Sequence, residues 1–250
     1  MMKRFAVLLI AAVFAAALCG CRSDPVTLPD APFSVAFTDE DLPEGSRARG
    51  WVTIPVLEGY PDAAAAEAFR GAALTYAQDV FAEKGPVSGT AADYRYETVE
   101  AVLCLAAPQL VSVRIGVVLS AEEASGNVRF AYSFNYDLAS GSVLRTEDIV
   151  ADYPAFRRLF ESGAFTQDFG YPSLAREVSY ADMIAQYRAE YGIYPSLYFT
   201  EGRIGVLIDV VQGLDGYAGF SADIRDVRRY LHTEDPTLAA LCGMKTNSMQ

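Results

Sequence analysis

Histidine is almost missing from this chain: one occurs in 250 residues. It is His232, and no nucleophile motif stands beside it. Ser-His-Asp and Cys-His catalysis need an imidazole within reach of the attacking group, so this one residue would have to serve either route. An exposed surface histidine is the simpler reading. Cysteine is also scarce, with four residues. Zinc sites gather Cys and His ligands at short spacings, and a lone histidine with scattered cysteines supplies no such set. EF-hand spacing is absent, although Asp209 and Asp215 lie near glycines. No cofactor is expected. Basic charge is short as well: 20 Lys and Arg against 32 Asp and Glu give a net charge of −12. Such a surface repels nucleic acid and anionic headgroups. It suits cationic partners, and it also serves plain solubility. No apolar run reaches the roughly 20 residues of a spanning helix. Disorder is excluded by an aromatic content of 12%, with 15 Tyr.

Residues 1–21 read MMKRFAVLLIAAVFAAALCGC. Lys3 and Arg4 give a positive start, and Phe5 to Leu18 form the apolar run, of signal-peptide length. A plain secretory signal would close on a small-x-small site. Here Leu18-Cys19-Gly20-Cys21 resembles the lipobox of bacterial lipoproteins. The resemblance implies that residues 1–20 are removed, that Cys21 takes a diacylglyceryl group, and that the rest of the chain is extracytoplasmic and anchored to the membrane. Two acyl chains suffice for stable anchoring. Loss of Lys3 and Arg4 with the signal makes the mature chain still more acidic.

Residues 21–47 carry several prolines and carboxylates and read as a tether, within which Val35-Ala36-Phe37 could add an edge strand. Trp51–Leu57 reads as a strand. Asp62 is the N-cap of a helix over 62–84, with Ala66, Phe69, Ala73, Tyr76 and Val80 on one stripe. Strands follow over 94–105, 111–117 and 128–138. In the last of these every even position is apolar or aromatic. Helices are predicted over 152–165 and 179–191, then strands over 196–200, 203–211 and 220–224. Residues 233–250 read as a loose tail. Sequential strands with tight turns suggest antiparallel pairing. The prediction is one α+β domain over 48–232, an antiparallel sheet packed on one side by about three helices.

Cys104 and Cys242 remain in the mature chain beside Cys21. An oxidising compartment permits a Cys104–Cys242 disulfide, and a free buried thiol within the apolar stretch Val102–Leu105 is the other reading. Paired carboxylates could cleave glycans. Glu97 and Glu100 fall on opposite strand faces by parity. The glycine-rich loop Gly213–Gly219 offers Asp215 and Tyr217 as candidate ligand-binding residues. A structural turn with Tyr217 packed on the sheet is the competing reading.

The stretch Tyr132-Ser133-Phe134-Asn135-Tyr136-Asp137-Leu138-Ala139-Ser140-Gly141 resembles the "yNyDLktG" strand and turn of the DUF3298 family. Pro195–Gly202 and Gly216-Tyr217-Ala218-Gly219 are similar to that family's closing hairpin and "YAaG" loop, and residues 48–120 resemble the partner DUF4163 unit, leaving 121–232 as the DUF3298-like part. That family includes the extracytoplasmic part of a lysozyme-sensing anti-sigma factor and non-catalytic domains of a peptidoglycan deacetylase. Its members often carry Gly-Gly-x-His before the "NYD" strand, where this chain has Glu122–Asn127. The resemblance implies a non-enzymatic envelope module that binds peptidoglycan fragments or a cationic wall-active protein such as lysozyme. A cell-wall glycan hydrolase working through paired carboxylates is the alternative.

Overall fold

The computed structural model describes residues 28–42, 49–84, 94–121, 128–170, 196–210 and 216–244. In chain order these form β1 (Ser34–Asp41), β2 (Arg49–Glu58), α1 (Ala63–Lys84), β3 (Tyr94–Ala106), β4 (Leu110–Ala121), β5 (Val128–Asp137), β6 (Ser142–Val143), α2 (Thr146–Ile149), α3 (Tyr153–Glu161), β7 (Thr166–Phe169), β8 (Ser196–Thr200), β9 (Arg203–Val210), β10 (Gly216–Asp223), α4 (Ile224–Val227), a 3₁₀ turn (Arg228–Tyr230) and α5 (Pro236–Leu241). The α+β class holds. Among the described residues no helix is long and apolar enough to cross a membrane.

The expected single sheet is two. The first has the order β1-β2-β3-β4-β5-β6 and the second β7-β10-β9-β8. Pairing is antiparallel except between β2 and β3, which run parallel over Arg49–Trp51 and Arg95–Glu97. The two strands then part, and the Thr53 amide is satisfied by Thr98 Oγ1 at 2.9 Å.

The helix over 62–84 forms where its punctuation places it. Asp62 Oδ1 accepts from the amides of Ala64 and Ala65, filling two of the orphan donors of a helix start. The buried stripe is Phe69, Ala73, Ala77, Val80 and Phe81. It packs on the apolar face of the first sheet, made by Val111, Val113, Ile115 and Val117 of β4 and Phe130, Tyr132, Phe134 and Tyr136 of β5. Phe69 meets Phe134 and Tyr136 edge-on at 5.5 and 5.1 Å, and Phe81 stacks on Tyr96 at 4.3 Å.

The other face of the first sheet meets the second sheet, whose far side carries the remaining core: Ile204, Val206 and Ile208 of β9 and Phe220 of β10, with Phe156 and Phe160 of α3 and Leu238 and Leu241 of α5. Helices therefore lie outside both sheets and not on one side only. The helix expected over 152–165 ends at Glu161. The helix expected over 179–191 falls outside the described residues.

Two expectations at the chain's ends are corrected. The tether is shorter than 21–47, because β1 starts at Ser34 and pairs along β2. The tail is not loose throughout: Asp235 Oδ1 caps α5 by accepting from Thr237 and Leu238, and Leu238, Leu241 and Cys242 are buried. Six residues with two leucines give too short a period to read as a helix.

Candidate functional site

The sequence motifs converge on the seam between the two sheets. Along β5 the even residues enter the aromatic core under α1. The odd residues Ser133, Asn135 and Asp137 point the other way and are still buried, at 2–3% exposure. Burying polar groups without partners is costly, and here they are bonded. β8 is an edge strand, and its unpaired backbone is satisfied by side chains of the first sheet. Ser133 Oγ and Asn135 Nδ2 both donate to the Leu197 carbonyl, at 2.5 and 2.6 Å. Ser112 Oγ accepts from the Phe199 amide at 3.0 Å and donates to Asn135 Oδ1 at 2.7 Å. The reciprocal edge is closed by Asp209, whose Oδ1 accepts from the Ala131 amide of β5 at 2.9 Å.

Asp137 holds the turn that follows. Its side chain accepts from the Ala139 amide and the Ser140 hydroxyl at 2.9 and 2.7 Å, and also from Thr237 Oγ1 of α5 at 3.1 Å. Gly141 closes the turn at φ +70°, a region that favours glycine. The Asn-Tyr-Asp run is thus a joint: Asn135 to the second sheet, Tyr136 to the aromatic core, Asp137 to the turn and α5.

Beside this joint, rings lie on glycines. A Cβ on Gly116 would sit 2.1 Å from the Tyr217 hydroxyl, one on Gly205 2.1 Å from Tyr198 Cζ, and one on Gly219 2.1 Å from Phe169 Cε1. Between these rings lies Arg114, its guanidinium carbon 3.6 Å from the Phe169 centroid, inside cation–π range. Arg114 Nη2 donates to Glu100 Oε1 at 3.2 Å, and the Tyr217 hydroxyl donates to Glu100 Oε2 at 2.5 Å. The Tyr198 hydroxyl donates to Asp168 Oδ2 at 3.0 Å. Among the described residues Arg114 Nε is buried without a hydrogen-bond partner.

Electrostatics follow from this crowding. Burial first, then the Glu100 hydrogen bond and charge, raises the Tyr217 phenol above its ordinary range. Burial first, then Asp168, does the same to Tyr198. Burial pushes the Cys104 thiol up to about 11, with Arg114 opposing and Glu100 adding. These groups are neutral at physiological pH, so the seam presents hydrogen-bond donors and no thiolate.

The candidate residues fare as follows. Tyr217 is half-buried, its ring packed over Gly116 and its hydroxyl spent on Glu100, which makes it an intersheet strut and not an open stacking platform. Asp215 and Cys21 lie outside the described residues. Cys104 and Cys242 are both free thiols. Cys104 packs in the seam with Tyr198, Phe169 and Tyr217, while Cys242 is in the core under α5. The parity argument for Glu97 and Glu100 fails. β3 slips register between Thr98 and Glu100, so Glu97 faces Val118 and Glu100 faces Gly116, positions two apart on β4 and hence on one face. His232 Nδ1 bonds Glu234 Oε1 at 2.5 Å. Among the described residues no group of His, Cys, Asp and Glu could hold a metal ion.

Sequence reasoning missed Ser112, Ser133, Asn135 and Arg114 as joint residues. The available signal was the polar set on the odd positions of β5, which period two alone assigns to solvent.

No family model matches the chain, and no curated protein does. Solved structures do. A crystal structure of a DUF3298 family member from Bacteroides fragilis matches with a TM-score of 0.53 at 12% identity, covering 86% of this chain and 100% of that one. A DUF3298 family protein from Pseudomonas aeruginosa gives a TM-score of 0.45 at 15% identity, covering 84% of this chain and 97% of that one. Over nearly its whole length, then, this chain has the fold of the Bacteroides fragilis DUF3298 structure.

Proposed function

We propose that this protein is an extracytoplasmic lipoprotein of the DUF3298 family, anchored through Cys21, whose domain binds a cationic wall-active protein such as lysozyme and catalyses nothing. The observation that carries the reading is the charge: a net −12 over the whole chain, whose seam carboxylates are taken up by internal partners. Glu100 is held by Arg114 and Tyr217, Asp137 by its turn, and Asp209 by Ala131. An acidic surface steers a basic protein toward it at rates that fall with ionic strength. The test is biolayer interferometry of the full-length protein in detergent against hen lysozyme and against muropeptides. Lysozyme binding that weakens steadily as salt rises supports the reading. Absence of lysozyme binding at low salt overturns it.

The slipped register of β3 favours one second reading, a glycan hydrolase, because it brings Glu97 and Glu100 to one face. Release of soluble muropeptides from peptidoglycan, abolished by Glu97→Gln or Glu100→Gln in a folded protein, would establish that reading and refute the first.

A further inference from the structure

Among the described residues β1 is the outer strand of the first sheet, and its open edge is regular. The Leu42 amide donates to the Gly50 carbonyl, which fixes the phase of the β1–β2 ladder. Antiparallel partners alternate between bonded and non-bonded pairs, so Ser34, Ala36, Thr38 and Glu40 bond β2. Val35, Phe37, Asp39 and Asp41 turn their amides and carbonyls outward. Two residues of β2 check this phase. Pro55, which has no N–H, stands opposite Phe37, and Thr53, opposite Asp39, sends its amide to Thr98. Long open edges template pairing with another chain. Two carboxylates on this edge, Asp39 and Asp41, are exposed; Asp39 Oδ1 accepts from Thr53 Oγ1 of β2 at 2.6 Å, and Glu40 beside them is held by Arg70 of α1 at 2.5 Å.

We infer that the β1 edge is a docking site for an extended basic segment of a partner protein, which adds as a further strand along Val35–Asp41. Backbone bonds supply the affinity in this mode and side chains the selectivity. The carboxylates decide the occupant. A second copy of this acidic chain would set like charges on adjacent strands, which is destabilising, whereas alternate lysines would face Asp39 and Asp41. The inference deepens the proposed binding of a cationic protein and names the contact surface.

The probe is a blocked, fluorescently labelled peptide of about eight residues alternating Lys and Val, titrated into the full-length protein in detergent. Its twin carries methyl groups on alternate backbone nitrogens, which removes donors and blocks strand pairing at unchanged charge. The expected result is binding of the first peptide and at least about tenfold weaker binding of the second, with slowed amide exchange at Val35, Phe37, Asp39 and Asp41. Phe37→Pro removes one outward donor without breaking a β1–β2 bond, but it also removes a ring packed on the first core; read against Phe37→Ala, which loses the same ring and keeps the donor, it should weaken the first peptide by about tenfold. Equal binding of both peptides, or protection confined to other strands, overturns the inference, and so does edge-to-edge dimerisation of the protein alone by light scattering. Lysozyme is run in parallel. Lysozyme binding unaffected by Phe37→Pro leaves the proposed function standing and removes the edge. Peptide binding at β1 without lysozyme binding does the reverse.

Discussion

Gly205→Ala should be among the most destabilising single-methyl changes this domain can receive. The new Cβ would lie 2.1 Å from Tyr198 Cζ and within 2.5 Å of Cε1 and Cε2, where carbon atoms need about 3.5–4.0 Å. Ring or strand must therefore retreat by about 1.5 Å. The ring has little room: Tyr198 is 2% exposed, packs with Leu207 and Ala131, and is tied to Asp168 at 3.0 Å. Gly205 does not have a positive φ, so backbone strain does not contribute. The cost is overpacking, about 2–3 kcal/mol, or a fall in melting temperature of about 4–12 °C for a domain of this size.

The assay is urea and thermal unfolding followed by circular dichroism, with two comparisons. Gly71 of α1 is exposed, and a Cβ there meets nothing within 4 Å, so Gly71→Ala should stabilise by up to about 1 kcal/mol. Tyr198→Ala removes the ring at a cost of about 3–5 kcal/mol. In the double variant Gly205→Ala/Tyr198→Ala the clash has no partner, so the double should cost no more than Tyr198→Ala alone. That is a coupling of about −2 kcal/mol. If Gly205→Ala lies within about 0.5 kcal/mol of wild type, or if the two changes add, the ring-on-glycine account of the seam is wrong.

Three further predictions concern stability. Tyr132 is fully buried and its phenol has no hydrogen-bond partner among the described residues, so Tyr132→Phe should be neutral or stabilise by up to about 1 kcal/mol; a shift of the urea midpoint to lower denaturant would contradict this. Asn135→Ala removes a bond to Leu197 and takes away the acceptor of the Ser112 hydroxyl proton, so about 1–3 kcal/mol should be lost. Asn135→Ala equal in cost to an exposed change such as Ser142→Ala would sink the joint. Alkaline stability should fall early. Burial raises both Cys104 and Cys242 to about 11, above the unfolded thiol value of about 8.5, so above about pH 8.5 the unfolded chain releases protons that the native state still holds. Their contribution is full below that pH and is lost as pH rises toward 11, and Cys104→Ala/Cys242→Ala should flatten unfolding free energy against pH in that window.

Local elements were legible where one side chain set had one reason to lie together. Asp62 and the Phe69–Val80 stripe announce α1, and the alternating aromatics of 128–138 announce β5. What local pattern does not carry is which free edge meets which. The Leu197 carbonyl and the Phe199 amide lie far along the chain from Ser112, Ser133 and Asn135, and nothing in either segment names the other. A polar residue on an alternating strand has the same appearance whether it faces water or a second sheet. The slip after Thr98 is similarly silent, since one inserted residue moves Glu100 to the face of Glu97 without changing composition. Tyr217 could be read both ways, and the deciding residue, Gly116, lies in a different strand.

The residues that carry the family resemblance are therefore the ones that join the sheets. Asn135 and Asp137 are buried at 3% exposure and have their bonds made inside the molecule. Gly219 is the floor under the Phe169 ring, and Tyr217 is the strut onto Glu100. A group whose donors and acceptors are already taken has little left for a ligand without breaking the fold, so a likeness built on such residues transmits architecture and leaves recognition unspecified. Recognition has to be sought where polar capacity is unspent. Among the described residues the outward backbone of β1 is such a place: its amides and carbonyls are unused, while the seam's are closed by side chains. Substituting the motif should move stability and binding together, because binding is lost with the fold. Substituting Asp41, an exposed side chain of the β1 edge, should move binding and leave the melting temperature nearly unchanged. That dissociation between the two classes of variant is the measurable difference between residues that build this domain and residues that let it act.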